Sequence, residues 1–100
     1  MAWKKVIKRT RPSVEVDWEF FSVDVKDYIK TNYVDTGKKT SSSMSSSEDG
    51  LVLTYTSVFS SEAAANEFHN DSTILAERSR RNKVNADNDI TKEVIVDEEV

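Results

Sequence analysis

The sequence predicts an α+β fold of the ferredoxin-like type, with its elements in the order β-α-β-β-α-β. Runs rich in β-branched and aromatic residues, which favour strands, lie near both ends of the chain and in its middle. Two stretches with apolar residues at helical spacing separate these runs. A length of 100 residues suits one hydrophobic core. We therefore expect a single domain over residues 1–100, with residues 1–2 and 97–100 frayed.

The first half of the chain supplies one strand and one helix. The strand is predicted over Trp3–Thr10 and ends before Pro12, because proline cannot donate to a central ladder. Residues 14–20 alternate between apolar and acidic, which is typical of an extended segment that is either a second strand or a covering loop. The helix is predicted from about Val23 to Asp35, and Gly37 is a natural residue to end it.

A hairpin is predicted in the middle of the chain. Residues 41–47 are six serines and one methionine, a composition typical of a flexible linker. They lead through Glu48-Asp49-Gly50, a turn signal, into Leu51–Phe59, which has the strongest strand pattern in the sequence. Because a strong strand needs a neighbour, an edge strand over Lys39–Ser47 is slightly favoured, and the linker stays open as the alternative.

The second half of the chain predicts a helix that breaks and resumes, followed by a last strand. The helix covers Ala63–Asn70, restarts at Ser72 and ends at about Asn85, and the strand covers Ile90–Val96. Two right-handed crossovers then give a four-stranded antiparallel sheet in the order 4-1-3-2, with the helices on one face. Arg78, Arg80, Arg81 and Lys83 form a basic cluster on the resumed helix. Arg78 and Arg81 share a face while Arg80 and Lys83 lie away from it, so solvated charges are favoured over a phosphate-binding stripe.

The composition excludes several kinds of site. The absence of cysteine rules out a disulfide framework, a thiolate zinc site and a cysteine nucleophile. His69 is the single histidine, so we predict no histidine-built metal site, no cofactor and no identifiable catalytic residue. No apolar run approaches the length of about 18 residues that a membrane span needs, and no signal peptide begins the chain. We expect a cytoplasmic protein, in the host cytoplasm if its source is viral.

Charge is distributed unevenly along the chain. Lys4, Lys5, Lys8 and Arg9 lie in the first strand and are candidates for weak anion binding, whereas residues 87–100 are mostly acidic. Opposite charges on paired antiparallel strands stabilise a sheet slightly, and this structural explanation is favoured. Nucleic-acid binding through the first strand is the alternative, although no RNP-like pattern accompanies the basic residues. We therefore expect no nucleic-acid partner.

Two resemblances can be read from the sequence. From Ser60 onward the chain reads Ser-Ser-Glu-Ala-Ala-Ala-Asn-Glu-Phe-His-Asn-Asp, followed by a broken helix and by Asn-Asp-Ile before the last strand. This combination resembles the dimeric α+β barrel superfamily. Antibiotic-biosynthesis-type monooxygenases belong to it, and the resemblance implies a homodimer and, in an enzyme, a cavity under the sheet. Trp3, Trp18 and His69 cannot be matched to that family's catalytic residues. The serine-rich hairpin and acidic end also resemble small proteins of tailed phages, which implies a phage origin.

Three functions follow as hypotheses. The leading one is a non-catalytic dimeric accessory or interaction protein, because the sheet's helix-free face needs a partner. The candidates for that interface are Val6, Ile7, Leu53 and Tyr55. The alternative is a small cofactor-independent monooxygenase-type enzyme, and the third is nucleic-acid binding. A cavity with convergent polar groups would favour the enzyme, whereas a packed interior would favour the interaction protein.

Overall fold

A computed structural model describes all 100 residues and contains four strands and three helices. They are β1 (Trp3–Thr10), α1 (Val23–Ile29), β2 (Lys39–Ser46), β3 (Val52–Phe59), α2 (Glu62–Asn70), α3 (Ser72–Asp87) and β4 (Thr91–Glu99). A π-helical segment, Lys30–Val34, continues α1. The strands pair antiparallel in the order β2-β3-β1-β4, which confirms the predicted sheet.

Side chains at the helix starts set the helix boundaries. The Ser22 hydroxyl accepts a hydrogen bond from the Val25 amide at the start of α1, and the Ser61 hydroxyl accepts one from the Ala64 amide at the start of α2. Each bond satisfies an amide that has no partner inside the helix. The first helix is therefore anchored at the predicted position, and its π-helical end stops before Gly37, which has a φ of 79°.

Asp71 makes the break between α2 and α3. Its backbone is extended, and its Oδ1 accepts hydrogen bonds from the amides of Thr73 and Ile74, so it caps the resumed helix. Its Oδ2 accepts hydrogen bonds from the hydroxyls of Tyr28 and Tyr33, each at 2.7 Å. The side chain of Asp71 thus links α1 and its π-helical continuation to the break between α2 and α3.

The serine-rich segment is an edge strand and not a linker. β2 pairs with β3 from Lys39, opposite Phe59, to Ser46, opposite Leu53. The turn between them contains Gly50 with a φ of 74°, a conformation that residues with a Cβ rarely adopt. The hairpin prediction is therefore confirmed.

The acidic end of the chain is part of the sheet. Residues 97–99 pair with Trp3–Lys5, and the Val100 amide donates to the carbonyl oxygen of Ala2 at 3.0 Å. The expected fraying of these ends is thus replaced by pairing, because β1 offers a free edge along its whole length. The acidic residues are strand neighbours of the basic ones.

Residues 14–20 form a covering loop and not a strand. Arg11 holds the loop, since its Nε donates to the Gly50 carbonyl and its Nη1 to the Val16 carbonyl, both at 2.8 Å. The Arg11 guanidinium also lies 4.7 Å from the centre of the Trp18 ring, within cation–π range. The loop consequently runs past one end of the sheet toward α1.

The hydrophobic core lies between the sheet and the helices, at the end near α2. Phe59 of β3 and Ile74 of α3 are fully buried there. The rings of Tyr33 and Phe68 meet edge to face with their centres 5.1 Å apart. Burying one such side chain contributes about 1.5–3 kcal/mol, so this end of the layer carries most of the packing stability.

Candidate functional site

A partly open cavity of about 290 Å³ occupies the other end of the layer between the sheet and the helices. Ile7 and Leu53 form part of its floor on the sheet, and Ile29 and Phe68 form part of its helical wall. Phe20, from the covering loop, lies at its edge. The volume lies near the lower end of the range for ligand pockets and suits a small molecule.

The polar lining of this cavity is cationic. The arginines that line it are Arg9, Arg78 and Arg81, and the lysines are Lys5, Lys26, Lys30, Lys39 and Lys92. No aspartate or glutamate lines it, although the whole chain has a net charge of −4. Lys30 forms an ion pair with Asp35 at 3.2 Å, and none of the other cations in the lining is within salt-bridge distance of an acid.

Arg9 is one of the two most buried of these cations. Only 7% of the residue is exposed, and its Nε has no hydrogen-bond partner. Burial, followed by the charges of Arg81 and Arg78, lowers the pKa of Arg9 to about 10, so its guanidinium is charged at neutral pH. A buried charge without a counter-ion is costly, which makes this position a natural binding site for an anion.

α3 directs two further arginines to the cavity because residues three apart share a helical face. Arg81 donates from Nε to the Glu19 carbonyl at 2.6 Å and so ties the covering loop to the cavity wall. Its guanidinium also lies 5.1 Å from the ring centre of Phe21. Arg78 places Nη2 3.3 Å from Nδ1 of His69. Both arginines are half-buried, which corrects the expectation that they are solvated.

Lys92 stands at the rim of the cavity on β4, directly across from Arg9 on β1. Partial burial lowers the pKa of Lys92 to about 8, and the neighbouring charges of Arg9 and Arg78 add to this effect. A substantial fraction of Lys92 is therefore neutral in mildly alkaline solution. A bound anion would favour its charged form.

A buried lysine and a tyrosine form the polar corner of the cavity on β2 and β3. Lys39, only 7% exposed, donates from Nζ to the Tyr55 hydroxyl at 3.0 Å. Burial alone would raise the pKa of Tyr55, but the charge of Lys39 and this hydrogen bond outweigh it and lower the pKa. The hydroxyl of Tyr55 is thus a polarised donor facing the same space as the arginines.

Three of the four dimer-interface candidates lie on the face of the sheet that packs against the helices and not on the helix-free face. Ile7, Leu53 and Tyr55 line the cavity, so they point toward the helices. Val6 alone lies on the helix-free face, because successive side chains of a strand point to opposite sides. The sequence could not assign the faces, since either set of alternate residues in Val52–Phe59 contains apolar side chains.

The four anion-binding candidates of β1 are divided in the same way. Lys5 and Arg9 line the cavity, whereas Lys4 and Lys8 lie on the helix-free face. Lys4 stands opposite Glu98 and Lys8 opposite Glu93 on β4. No single surface therefore presents the four charges, which argues against a nucleic-acid groove along this strand.

The residues that complete the cavity were not predicted as site residues from the sequence. Lys39 precedes the serine run, Lys92 lies in an otherwise acidic strand, and His69 was considered only as a metal ligand or a general base. The one available signal was the shared helical face of Arg78 and Arg81. Trp3 and Trp18, the tryptophans considered for a cavity, do not line it.

The side chains do not form a metal site of ordinary composition. No group of three or more histidine, cysteine, aspartate or glutamate side chains is close enough together to hold a metal ion. No helix is long and apolar enough to cross a membrane. The expected absence of cofactors and the cytoplasmic location stay predictions.

Comparison with known proteins identifies the fold. No family model and no curated protein matches the chain. Among solved structures, Rv0793 from Mycobacterium tuberculosis is similar, with a TM-score of 0.57 and 18% identity over 94% of this chain and 93% of that one. At this identity the likeness shows the fold alone, and it agrees with the ferredoxin-like α+β arrangement. The phage origin, the homodimer and membership of the dimeric α+β barrel superfamily stay predictions.

Proposed function

We propose that this protein binds a small organic anion in the cavity between its sheet and its helices. The observation that carries the proposal is the set of basic side chains around that space, with Arg9 buried and unpartnered at its floor. Guanidinium groups bind carboxylates and phosphates through paired hydrogen bonds, and they do so most strongly where water is excluded. An anionic group placed among Arg9, Arg78 and Lys92 would offset their mutual repulsion.

The other part of the ligand is expected to be apolar. Phe20, Phe21 and Ile29 line the cavity together with Val34 and Met44. Val34, Met44 and Phe20 are substantially exposed, so they would gain most from being covered. An aromatic or aliphatic body against these side chains and an acidic group against the arginines would satisfy both parts of the lining.

Among the functions that the sequence left open, this cavity favours a protein that handles a small molecule over a purely structural interaction module. Convergent polar groups around an apolar space are the arrangement expected of a binding or active site. The Lys39–Tyr55 pair provides a proton donor for the ligand, which is in keeping with an enzyme of monooxygenase type. Anion binding is the shared first step of either role.

Paired ligands test the proposal. Naphthoate carries a carboxylate on an apolar body of suitable size, and naphthalenemethanol is its uncharged counterpart. We expect naphthoate to bind by calorimetry and to raise the melting temperature, while the alcohol does neither, because only the acid pairs with the cavity cations. A ligand at about one hundred times its Kd stabilises the folded state by about 2.7 kcal/mol, which is easily measured.

A matched pair of variants separates the cavity from general surface charge. Arg9→Met is expected to abolish naphthoate binding, whereas Lys8→Met, which removes a positive charge from the opposite face of the same strand, is expected to leave it unchanged. Equal binding of the acid and the alcohol, or equal loss in both variants, would contradict the proposal.

We also propose that the protein forms a homodimer through the helix-free face of the sheet. No helix packs on that face, since all three helices pack on the other side, although neighbouring side chains leave Val6 only 9% exposed. It carries Val6 and Val96 at its centre, with a basic column that includes Lys8 on β1 beside an acidic column that includes Glu93 on β4. A face with adjacent columns of opposite charge can be complementary to a second copy of itself across a two-fold axis.

Sedimentation tests the homodimer directly. We expect a species of twice the 11.4 kDa chain mass at micromolar concentration, and Val6→Arg should return it to the monomer by placing a charge in the centre of the interface. Val23→Arg, at an exposed position on α1, is the control and should stay dimeric. A monomer that persists at high micromolar concentration would remove this proposal and leave the anion site unaffected.

A further inference from the structure

His69 lies between two basic side chains, one near each nitrogen of its imidazole ring. Nδ1 is 3.3 Å from Nη2 of Arg78, and Nε2 is 3.4 Å from Nζ of Lys5. The three residues come from α2, α3 and β1, and all of them line the cavity. No carboxylate is hydrogen-bonded to either nitrogen of the imidazole.

A neutral imidazole has one acceptor nitrogen, so only one arrangement makes both contacts hydrogen bonds. In that arrangement Nδ1 of His69 accepts from Arg78, whose side chain has only donors. A neutral imidazole then carries its hydrogen on Nε2, which points toward Nζ of Lys5. A lysine ammonium would oppose this N–H with another N–H, whereas a neutral amine has a lone pair to accept it. The contacts therefore favour neutral forms of both His69 and Lys5.

Burial acts in the same direction on both groups. It lowers the pKa of His69 to about 4, and the positive charges of Lys5 and Arg78 add to this effect. Burial also lowers the pKa of Lys5, although Asp97, directly across on β4, opposes the shift more strongly than Arg78 adds to it.

We infer that Lys5 is a nucleophilic amine that forms an imine with a carbonyl group of the organic anion. The inference rests on the proposed function, since the cavity cations must first hold the anion beside Lys5. Partial burial and a contact with His69 disfavour the charged form of a lysine, and this increases the fraction of the nucleophilic amine. Arg78 and His69 act as positioning residues for that amine.

The reaction balances without a cofactor. The lone pair of Nζ forms a bond to the carbonyl carbon, and the carbonyl π electrons move to oxygen, giving a carbinolamine after proton transfer. The C–O bond then breaks, and the oxygen leaves as water with the two hydrogens that the amine loses. The product is a C=N bond, and nothing is oxidised or reduced.

Reductive trapping with phenylpyruvate tests the inference. This probe joins a carboxylate and a ketone to an aromatic body, and cyanoborohydride converts an imine into a stable secondary amine. We expect one adduct per chain, located at Lys5 by peptide mapping with mass spectrometry. Phenylpropionate, which has the acid and the ring but no ketone, should bind without an adduct and should suppress labelling.

Matched variants test whether Lys5 is the labelled residue and whether His69 positions its amine. Lys5→Arg keeps the charge without a nucleophilic amine and should lose the adduct, whereas Lys4→Arg, the neighbour on the opposite face, should keep it. His69→Gln offers an oxygen acceptor to a charged Lys5, so we expect labelling to require a higher pH, by about one unit or tenfold in yield below the midpoint. A purely structural role for His69 would lower yield without moving that midpoint.

The outcomes distinguish the inference from the function on which it rests. Binding of phenylpropionate with no adduct at Lys5, or labelling spread over the exposed lysines of the wild-type chain, would overturn the inference and leave anion binding intact. Absence of binding by both acids would overturn both.

Discussion

The two faces of β1 carry the same kinds of side chain in opposite surroundings. On the helix-free face, Lys4 and Lys8 are half-buried and stand opposite Glu98 and Glu93. On the other face, Arg9, which directly follows Lys8 in the chain, is buried without a hydrogen-bond partner for its Nε and faces other cations. The basic residues of this strand therefore have two different environments, one of paired opposite charges and one of clustered positive charges.

This difference shows that the function of a charge is determined by its neighbours across strands and helices and not by its own segment. The cations around Arg9 repel one another, and this repulsion destabilises the ligand-free protein. Sites that bind ligands commonly reduce stability in this way, because the groups that hold the ligand are mismatched without it. Lys4 and Lys8, on the helix-free face, stand opposite acidic residues, so they do not destabilise the fold by such repulsion.

The largest expected effect comes from removing Arg9. In buffer without polyvalent anions, Arg9→Met should raise the free energy of unfolding by about 1–4 kcal/mol, since an apolar side chain of similar length replaces a buried charge. Lys8→Met is the control and should change it by about 0–1 kcal/mol in the destabilising direction. Urea denaturation measures both, and a loss of stability in Arg9→Met would show that the protein itself neutralises this guanidinium.

The next effect is the pH dependence that His69 gives to the cavity face. Its pKa is about 4 in the folded protein and about 6.5 when unfolded, so between these values the unfolded chain binds more protons. Stability from this residue is therefore complete above pH 6.5 and is lost as the pH falls toward 4. We expect a loss of about 1–2 kcal/mol after allowance for solvent screening.

The variant His69→Asn isolates this contribution. Carboxylates also titrate in acid, but they do so in both proteins, so the difference between wild type and variant reports His69 alone. The stability of the wild type relative to the variant should fall from pH 6.5 to pH 4, as measured by urea denaturation at several pH values. A constant difference across this range would mean that His69 is protonated equally easily when folded and unfolded.

The fold could be predicted because its signals are local. Ser22 and Ser61 cap helices within three residues of themselves, and the strand pattern of Val52–Phe59 implied a partner for the serine-rich segment. The break at residues 70–72 was also recognised, although the helix cap lies at Asp71, one residue before the predicted Ser72. Each of these features needs only neighbouring residues to be recognised, so sequence alone was sufficient.

The cavity could not be predicted because its members come from most of the chain. Arg9, Lys39 and Arg78 lie on different elements and meet only after the sheet and helices pack. Each, taken alone, has the pattern of an ordinary solvated charge. The sequence also does not determine which alternate side chains of a strand face the helices. For this reason Leu53 was predicted on the helix-free face, whereas it lines the cavity.

The smallest expected effect is on the helix-free face, where the opposed charges serve sheet pairing. Lys4 and Lys8 are strand partners of Glu98 and Glu93, but no salt bridge joins them, so each pair should contribute about 0–1 kcal/mol. The double variant Lys4→Glu with Lys8→Glu should therefore lower stability slightly, and added salt should reduce the loss because it screens exposed charges.

The same double variant tests the nucleic-acid hypothesis against the pairing explanation. Binding to phosphates would weaken linearly on a log–log plot against salt, and on this face it would depend on Lys4 and Lys8 and not on Lys5 and Arg9, which line the cavity. We expect no binding of labelled single- or double-stranded DNA or RNA at about 50 mM salt by either protein. Micromolar binding by the wild type that the double variant abolishes would assign this face to nucleic acid. Naphthoate binding should stay unchanged in the double variant, because its charges lie on the side of β1 that faces away from the cavity.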